Sequence, residues 1–135
     1  MSLVNLIDFH IFGDNRGSLI SLEENKNIPF DIKRVYYIYG TDQDISRGYH
    51  AHKDLQQVAI CLNGSCKFVL DNGKERIDII LDQPNIGLII KDNIWREMHD
   101  FSHDCILLVL ASDIYTESDY IRDYDFFLEY VNNDS

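Results

Sequence analysis

The sequence predicts an all-β fold, a jelly-roll barrel with one helix at its C-terminus. Short segments rich in β-branched and aromatic residues follow one another, and turns rich in Gly, Asn and Asp separate them. Only the last stretch of the chain spaces its apolar residues at a helical interval. Many short strands with a single terminal helix are typical of barrels and jelly rolls. The alternation is imperfect, so periodicity alone leaves a sandwich and a barrel both open.

The first third of the chain predicts three strands. Residues 4–12 alternate loosely, the glycine-bounded stretch 13–17 forms a turn, and residues 18–22 are extended again. Residues 32–39 are rich in aromatic and β-branched side chains, which pack well on a pleated surface.

The middle of the chain has the clearest turn signals. Asn63-Gly64 separates the β-type segments 57–62 and 65–70, and Asn-Gly supplies the positive φ angles that a type I′ turn requires. We therefore predict that these two segments pair as a hairpin. A second signal, Asp-Asn-Gly-Lys, follows them. The remaining predicted strands are 77–81, 86–90 and 106–110.

The C-terminal stretch 118–130 predicts a helix. Its apolar residues fall three or four positions apart, so they would form one face against the core. Ser118 or Asp119 is a suitable N-cap, because either side chain can accept a hydrogen bond from the first turn. The apolar positions are Tyr120, Ile121, Tyr124, Phe127 and Leu128.

Composition limits the classes of partner. The 135 residues predict a single domain, 1–135, with a formal net charge of −11. That negative field disfavours nucleic acid and anionic membranes, and an anionic small ligand would need a local cluster of Arg and Lys. Cys61, Cys66 and Cys105 lack Cys-x-x-Cys spacing and predict reduced, buried thiols in the cytoplasm. No apolar run is long enough to span a bilayer, and no basic leader precedes the first strand.

The run 47–53, Arg-Gly-Tyr-His-Ala-His-Lys, is the most informative stretch. With Gln57 and a later glycine it keeps the spacing of a metal-binding cupin strand pair, in which a glutamate follows His-x-His. Gln57 occupies the glutamate position, and its neutral amide is a poor metal ligand. In the second cupin segment Met98 stands where a histidine is expected. His99 or His103 could complete a metal site only with a register shift.

Two histidines without a metal cage are available for proton chemistry. His50 and His52 alternate along one strand, so both side chains face the same side of the sheet. An imidazole titrates near neutral pH and can take and return a proton. Acid–base chemistry without metal or cofactor is therefore favoured over a metal site and over two incidental surface histidines.

Arginines supply candidate contacts to an anion. Arg16 and Arg47 each stand near a glycine, where the backbone can approach a ligand, and a guanidinium fork suits a diphosphate. Arg34 lies on the tyrosine-rich strand, and Arg96 follows the single tryptophan. Turn arginines in water are the alternative for Arg16 and Arg47.

Together these motifs resemble the dTDP-4-keto-6-deoxyglucose 3,4-ketoisomerases, small bacterial sugar-nucleotide enzymes with a metal-free cupin fold. The resemblance runs from about Phe9 to Tyr124. A more distant one, in Arg47-Gly48-x-His50, relates the chain to the dTDP-sugar 3,5-epimerases. The stretches that carry the main resemblance are 16–19, 32–37, 47–53, 95–101, 111–113 and 119–124.

The resemblance implies a cofactor-free isomerase of a thymidine diphosphate sugar that has a ketone at C4. One histidine would remove the C3 proton to give an enediolate, and a proton returned to C4 would leave the carbonyl at C3. His52 is expected to be the base and His50 its partner, although the two roles could be exchanged. The implied substrate-binding residues are Arg16, Arg34, Arg47, Gln57 and Arg96.

The resemblance also implies a cytoplasmic homodimer with exchanged N-terminal strands, serving a pathway to 3-amino-3,6-dideoxy sugars of surface glycans such as O-antigen or S-layer glycan. Arg16 and Arg96 are the expected determinants of the C4 configuration. Three alternatives stay open: a 3,5-epimerase of the same substrate, a non-catalytic nucleotide-sugar-binding cupin, and a metal-dependent cupin dioxygenase. The missing glutamate weighs against the last.

Overall fold

The computed structural model describes residues 3–133, so both ends of the predicted domain 1–135 lie outside the described residues. Two five-stranded antiparallel sheets share an apolar core, in the orders β1-β9-β6-β11-β4 and β12-β5-β10-β7-β8, and β2-β3 form a separate hairpin. The predicted β fold with a C-terminal helix is confirmed. The elements are β1 (Asn5–Asp8), β2 (Phe12–Asp14), β3 (Gly17–Leu19), β4 (Arg34–Ile38), β5 (Arg47–His52), β6 (Gln57–Asn63), β7 (Cys66–Asp71), β8 (Arg76–Leu81), β9 (Ile86–Ile90), β10 (Trp95–His99), β11 (Ile106–Ala111), a 3₁₀ turn (Glu117–Asp119), β12 (Tyr120–Ile121) and α1 (Tyr124–Asn133).

The core lies between the two sheets. Ala59, Leu88 and Leu107 project into it from the first sheet, while Phe68 and Leu70 project from the second, and all five are fully or nearly fully buried. The apolar runs predicted as buried strands become the interior strands β9 and β11, in which Leu88, Ile90, Leu107 and Val109 are buried while Ile106 is 37% exposed. No helix within residues 3–133 has the length and apolarity needed to cross a membrane.

The predicted hairpin at Asn63-Gly64 is wrong. β6 pairs with β9 and β11, whereas β7 pairs with β8 and β10 in the opposite sheet. A type I′ turn needs positive φ at both central residues, and only Gly64, at 70°, has it. The Asn63 side chain instead donates a hydrogen bond to the Asp104 carbonyl oxygen at 2.9 Å. The segment is thus a crossover between sheets.

The helix begins later than predicted. α1 starts at Tyr124, and Asp123 caps it by accepting a hydrogen bond from the Phe126 N–H at 2.9 Å. Ser118 and Asp119 lie in the 3₁₀ turn instead. The next two residues form β12, which pairs with β5 at the edge of the second sheet. Tyr120 and Ile121, which resembled part of a helical face, therefore form a short strand, and this strand brings Asp119 beside His52.

The N-terminal prediction is also divided differently. Residues 4–12 do not form one strand: β1 pairs with β9 in the first sheet, and β2 starts the separate hairpin with β3. The predicted glycine-bounded turn joins β2 to β3 as expected. This hairpin pairs with no other strand in the described part of the chain.

Candidate active site

Strand β5 carries both histidines past a β-bulge. Gly48 and Tyr49 adopt left-handed backbone angles, φ 91° and 59°, and the register between β5 and β10 shifts there. A Cβ at Gly48 would lie 3.2 Å from the Arg96 carbonyl oxygen, so this close approach suits a glycine. A bulge re-aims the side chains that follow it. Beyond it the rings of His50 and His52 meet edge to face, with centroids 4.9 Å apart, which confirms that both face the same side.

An open cleft lies against this face of the sheet. Its volume is about 320 Å³, within the range of small-molecule sites. A smaller cavity of about 20 Å³ adjoins it, and Tyr36, His50 and Met98 line both spaces. The cleft is further lined by basic and aromatic side chains, among them Arg34, Arg47, Tyr120 and Arg122. The smaller cavity adds Gln57 and Arg96. Of the predicted substrate-binding residues, four therefore surround one continuous region.

Asp119 orients the more deeply buried histidine. His52 is 1% exposed, and its Nδ1 lies 2.9 Å from Oδ2 of Asp119. A carboxylate accepts hydrogen bonds, so it fixes the neutral imidazole with the proton on Nδ1. Nε2 of His52 is then the acceptor, and it has no hydrogen-bond partner within residues 3–133. The Tyr120 ring packs against both imidazoles, 4.3 Å from the His52 ring centroid and 4.9 Å from that of His50.

Both imidazoles are held neutral. Burial, followed by the charge of Arg96, lowers the pKa of His50 to about 3. The same two causes in the same order lower the pKa of His52 to about 3. Burial disfavours the charged form, and a nearby guanidinium repels an added proton. Each ring is thus a proton acceptor at neutral pH, and Nδ1 of His50, like Nε2 of His52, has no partner in the described residues.

Arg96 is a buried cation that forms no ion pair within residues 3–133. It is 2% exposed, and burial lowers the pKa of its guanidinium to about 10, so it stays charged at neutral pH. Nη2 donates to the Ile94 carbonyl oxygen at 3.1 Å, and Nη1 donates to Oε1 of Gln57. Nε2 of Gln57 donates in turn to the Tyr36 hydroxyl at 3.0 Å. Across residues 3–133 no carboxylate forms an ion pair with Arg96, although the Asp119 carboxylate opposes the effect of burial on the Arg96 pKa from a longer distance. The guanidinium is therefore not blocked by a carboxylate and can contact an anion in the cavity.

The cleft rim also presents positive charge. Arg34 lies over the rings of Tyr36 and Tyr115, 5.3 Å and 5.8 Å from their centroids, and its buried Nε has no hydrogen-bond partner in the described chain. Arg47 is exposed at the start of β5. Arg122 lies 4.2 Å from the Tyr120 centroid and is paired with Glu117. These groups give a strongly acidic protein the local positive field that an anionic ligand needs.

Arg16 is the one predicted substrate-binding residue that this chain does not bring to its own cleft. It lies at the tip of the β2-β3 hairpin with 87% of its side chain exposed, and Nη2 contacts Oδ2 of Asp14 at 2.6 Å. The two histidines considered as extra metal ligands are also elsewhere. His99 is hydrogen bonded to Ser46 and Glu97, and His103 is exposed in a loop.

The sequence alone did not identify Asp119, Tyr36, Tyr120 or Arg122 as site residues. One usable signal was the strand period, because Tyr36 lies between Arg34 and Ile38 on the same face of β4. Asp119 gave no local signal, since its partner His52 is 67 positions away.

Comparisons with known proteins agree with this geometry. The family model described as "FdtA: WxcM-like, C-terminal" matches residues 2–132. The TDP-4-oxo-6-deoxy-alpha-D-glucose-3,4-oxoisomerase of Aneurinibacillus thermoaerophilus is 56% identical over 126 residues, 93% of this chain and 91% of that protein. A 3,4-ketoisomerase from Helicobacter canadensis superposes with a TM-score of 0.93 at 57% identity, covering 96% of this chain and 97% of the other. A mutant 3,4-ketoisomerase from Thermoanaerobacterium thermosaccharolyticum, in complex with TDP-4-keto-6-deoxyglucose, superposes with a TM-score of 0.95 at 50% identity, covering 98% and 96%.

Proposed function

The chain belongs to the FdtA (WxcM-like, C-terminal) family and is a dTDP-sugar 3,4-ketoisomerase, and we propose that it moves the carbonyl of dTDP-4-keto-6-deoxyglucose from C4 to C3 with His50 and His52 as its acid–base groups. One observation supports these roles most strongly. Two neutral imidazoles with free ring nitrogens lie within Coulombic range of a buried guanidinium that lacks a carboxylate partner.

His50 is the base that meets the substrate. It lines both the cleft and the smaller cavity, whereas His52 lines neither and lies behind it. The resemblance favoured His52 as the base but allowed the two roles to be exchanged. The proposal takes this exchanged assignment. His50 removes the C3 proton. The electrons of the broken C3–H bond form the C3–C4 double bond, and the C4 carbonyl oxygen becomes an oxyanion. Asp119 holds the neighbouring His52 ring, and its carboxylate stabilises positive charge on that ring when a proton arrives.

Arg96 and Tyr36 stabilise the enediolate. The buried guanidinium faces the region where negative charge develops, and such preorganised charge acts strongly in a dry site. The Tyr36 hydroxyl already accepts a hydrogen bond from Gln57, so its own proton is free for a sugar oxygen. A proton leaves O3 and another reaches O4, and protonation at C4 then leaves the carbonyl at C3. The protons lost from C3 and O3 are matched by those gained at O4 and C4, so the reaction needs no external oxidant or reductant.

The same residues support a reaction without metal. The cupin glutamate position holds Gln57, whose carbonyl oxygen is engaged by Arg96. A fixed positive charge within range of both histidines disfavours a metal cation there. The diphosphate would lie against the rim arginines Arg34 and Arg47, and its negative charge would raise the pKa of both histidines toward the range useful for proton transfer.

We further propose a homodimer in which the β2-β3 hairpin reaches the partner's cleft. This hairpin exposes apolar side chains, with Ile11, Phe12 and Leu19 between 47% and 60% exposed. Such exposed apolar surface marks an interaction site. Arg16 at its tip would then contact the substrate in the other subunit, which reconciles its predicted role with its position. Three buried free cysteines are consistent with a reducing, cytoplasmic location.

Mixed dimers test the shared site. Arg16→Ala and His50→Asn should each be nearly inactive alone. If Arg16 acts across the interface, a mixed dimer contains one doubly altered site and one intact site. Co-expression with different tags, followed by measurement of activity in the doubly tagged fraction, should therefore restore about half of the wild-type activity per dimer. No restoration would place Arg16 and His50 in the same protomer's site, and an active Arg16→Ala variant would remove Arg16 from the site.

Proton NMR in D2O tests the reaction itself. The wild-type protein should convert dTDP-4-keto-6-deoxyglucose to a 3-keto sugar with deuterium at C4. The C4 coupling constants would assign its configuration, which Arg16 and Arg96 are proposed to govern. Deuterium at C5 would indicate a 3,5-epimerase instead. Binding without any change in the spectrum would indicate a non-catalytic sugar-nucleotide module.

A further inference from the structure

Three cysteine side chains from separate segments meet in the core. Cys61 in β6, Cys66 in β7 and Cys105 before β11 place their sulfur atoms within 4.8 Å of one another. Each residue is 1% exposed. Cys61 lies four residues beyond Gln57 on β6, and Cys66 lies four residues before Leu70, the partner of Arg96. Four strand residues span roughly 13 Å, so this thiol cluster is separate from the isomerase site.

We propose that Cys61, Cys66 and Cys105 form a buried three-coordinate site for a soft monovalent ion, Cu(I). Their geometry already resembles a coordination shell. The sulfur atoms of Cys61 and Cys105 are 3.8 Å apart. Two sulfurs bound to one metal at about 2.3 Å, in tetrahedral or trigonal geometry, lie roughly 3.8–4.0 Å apart. Small side-chain shifts would therefore complete the site without moving the strands.

The ligand number and surroundings select the ion. Within residues 3–133 no histidine, aspartate or glutamate joins the three thiols. A structural zinc site uses four protein ligands, whereas soft thiolate sulfur suits Cu(I). The cluster belongs to the apolar core that includes Phe68, Phe101 and Leu107. Cations that need carboxylate oxygen ligands therefore find none among the side chains of this cluster.

Two loops that contact each other lie beside the cluster, one just before Cys66 and the other just before Cys105. The Ser65 N–H donates to Oγ of Ser102 at 2.9 Å, and the Asn63 side chain donates to the Asp104 carbonyl oxygen. A Cβ at Gly64 would approach Oγ of Ser102 to 2.2 Å, so the turn packs tightly on the second loop. An ion would enter when these loops open transiently, and loading should be slow compared with binding at an exposed site.

Anaerobic titration of the full chain tests the site. The reduced protein is mixed with the Cu(I)–bicinchoninate complex, and the loss of the complex's colour reports transfer. We expect one copper per chain and a higher Tm, because an ion that binds only the folded state stabilises it. Transfer of well under one equivalent, or an equal preference for zinc under the same competition, would overturn the proposal.

Single variants and spectroscopy separate this site from adventitious binding. Cys61→Ala, Cys66→Ala and Cys105→Ala should each weaken Cu(I) binding by more than about 100-fold, because even loss of an outer-shell partner costs ~10–100-fold. Leu107→Val, which reduces the side-chain volume of the same core but changes no cysteine, should bind Cu(I) normally. Retained isomerase activity shows that each variant is folded.

X-ray absorption of wild-type protein loaded with Cu(I) should show three sulfur neighbours around the copper. Nitrogen or oxygen neighbours, or a mass loss indicating a disulfide, would contradict the site independently of the variants.

Discussion

Replacement of His50 by asparagine should lower kcat by about 10²–10⁴-fold, the usual contribution of a general acid–base group. Asparagine keeps a polar side chain in the cleft but cannot accept and return a proton at neutral pH. The Kd for TDP should change little, because the diphosphate is proposed to lie against Arg34 and Arg47. The measurement is the conversion of dTDP-4-keto-6-deoxyglucose by NMR, with TDP binding followed by calorimetry.

Variants of His52 and Asp119 supply the comparison for His50→Asn. His52→Asn and Asp119→Asn should give similar losses to one another, and the double variant should be scarcely worse than either, because residues that act as a unit are not additive. Asp119→Asn keeps the contact to His52 but no longer stabilises an imidazolium. A fully active His50→Asn variant beside an inactive His52→Asn variant would restore His52 as the base that meets the substrate.

The fold was predictable where burial and local composition agree. Residues 86–90 and 106–110 are apolar throughout, and both become central strands. The hairpin predicted at Asn63-Gly64 was wrong because turn residues determine only the local backbone. They carry no information about which strands pair on either side of the turn. The helix was predicted to start too early for a related reason. Tyr120 and Ile121 fit both a helical face and an edge strand, and pairing with β5 decides in favour of the strand.

The site was predictable where its residues share one strand or one motif. His50, His52 and Arg47 lie together on β5, and the cupin spacing pointed to Gln57 at the start of β6. Asp119 was not predictable because its role exists only after β12 pairs with β5. Arg16 shows the opposite limit. Its motif was recognisable, yet in this chain it lies exposed at the tip of a hairpin, and its proposed place in a site would depend on a second subunit.

The proposed mechanism depends on a buried positive charge. Arg96 is 2% exposed, no carboxylate within residues 3–133 forms an ion pair with it, and two histidines remain neutral beside it. Burying this charge in the absence of substrate costs free energy of folding. In the proposed reaction the substrate would supply negative charge, first on the polarised carbonyl oxygen and then on the enediolate. Substrate binding and catalysis would therefore both use a charge that no ion pair of the described residues neutralises.

Replacement of Arg96 by methionine should accordingly lower kcat by about 10²–10³-fold without lowering Tm. The loss of kcat is that expected when one preorganised stabiliser of an oxyanion is removed. Tm should stay close to the wild-type value, because removal of the buried charge offsets the loss of the hydrogen bonds to Gln57 and Ile94, and methionine fills a similar volume. The variant should also have higher histidine pKa values, since the Arg96 charge lowers them in the wild type. Activity needs the neutral base, so the acid limb of the pH–rate profile should move to higher pH.

Arg76→Met is the matched control, because Arg76 belongs to the same sheet but lies outside the cleft. It is paired with Asp71 at 3.0 Å and with Glu97 at 2.9 Å. Its loss leaves the buried carboxylates of Asp71 and Glu97 without their cation, although the Tyr124 hydroxyl and the Trp95 indole still donate to them. We expect a cost of about 1–3 kcal/mol of unfolding free energy while kcat is unchanged. The two arginines should thus respond in opposite ways, one in activity and the other in stability. A marked fall in Tm for Arg96→Met with unchanged kcat would show instead that Arg96 supports the core and leaves the enediolate to other groups.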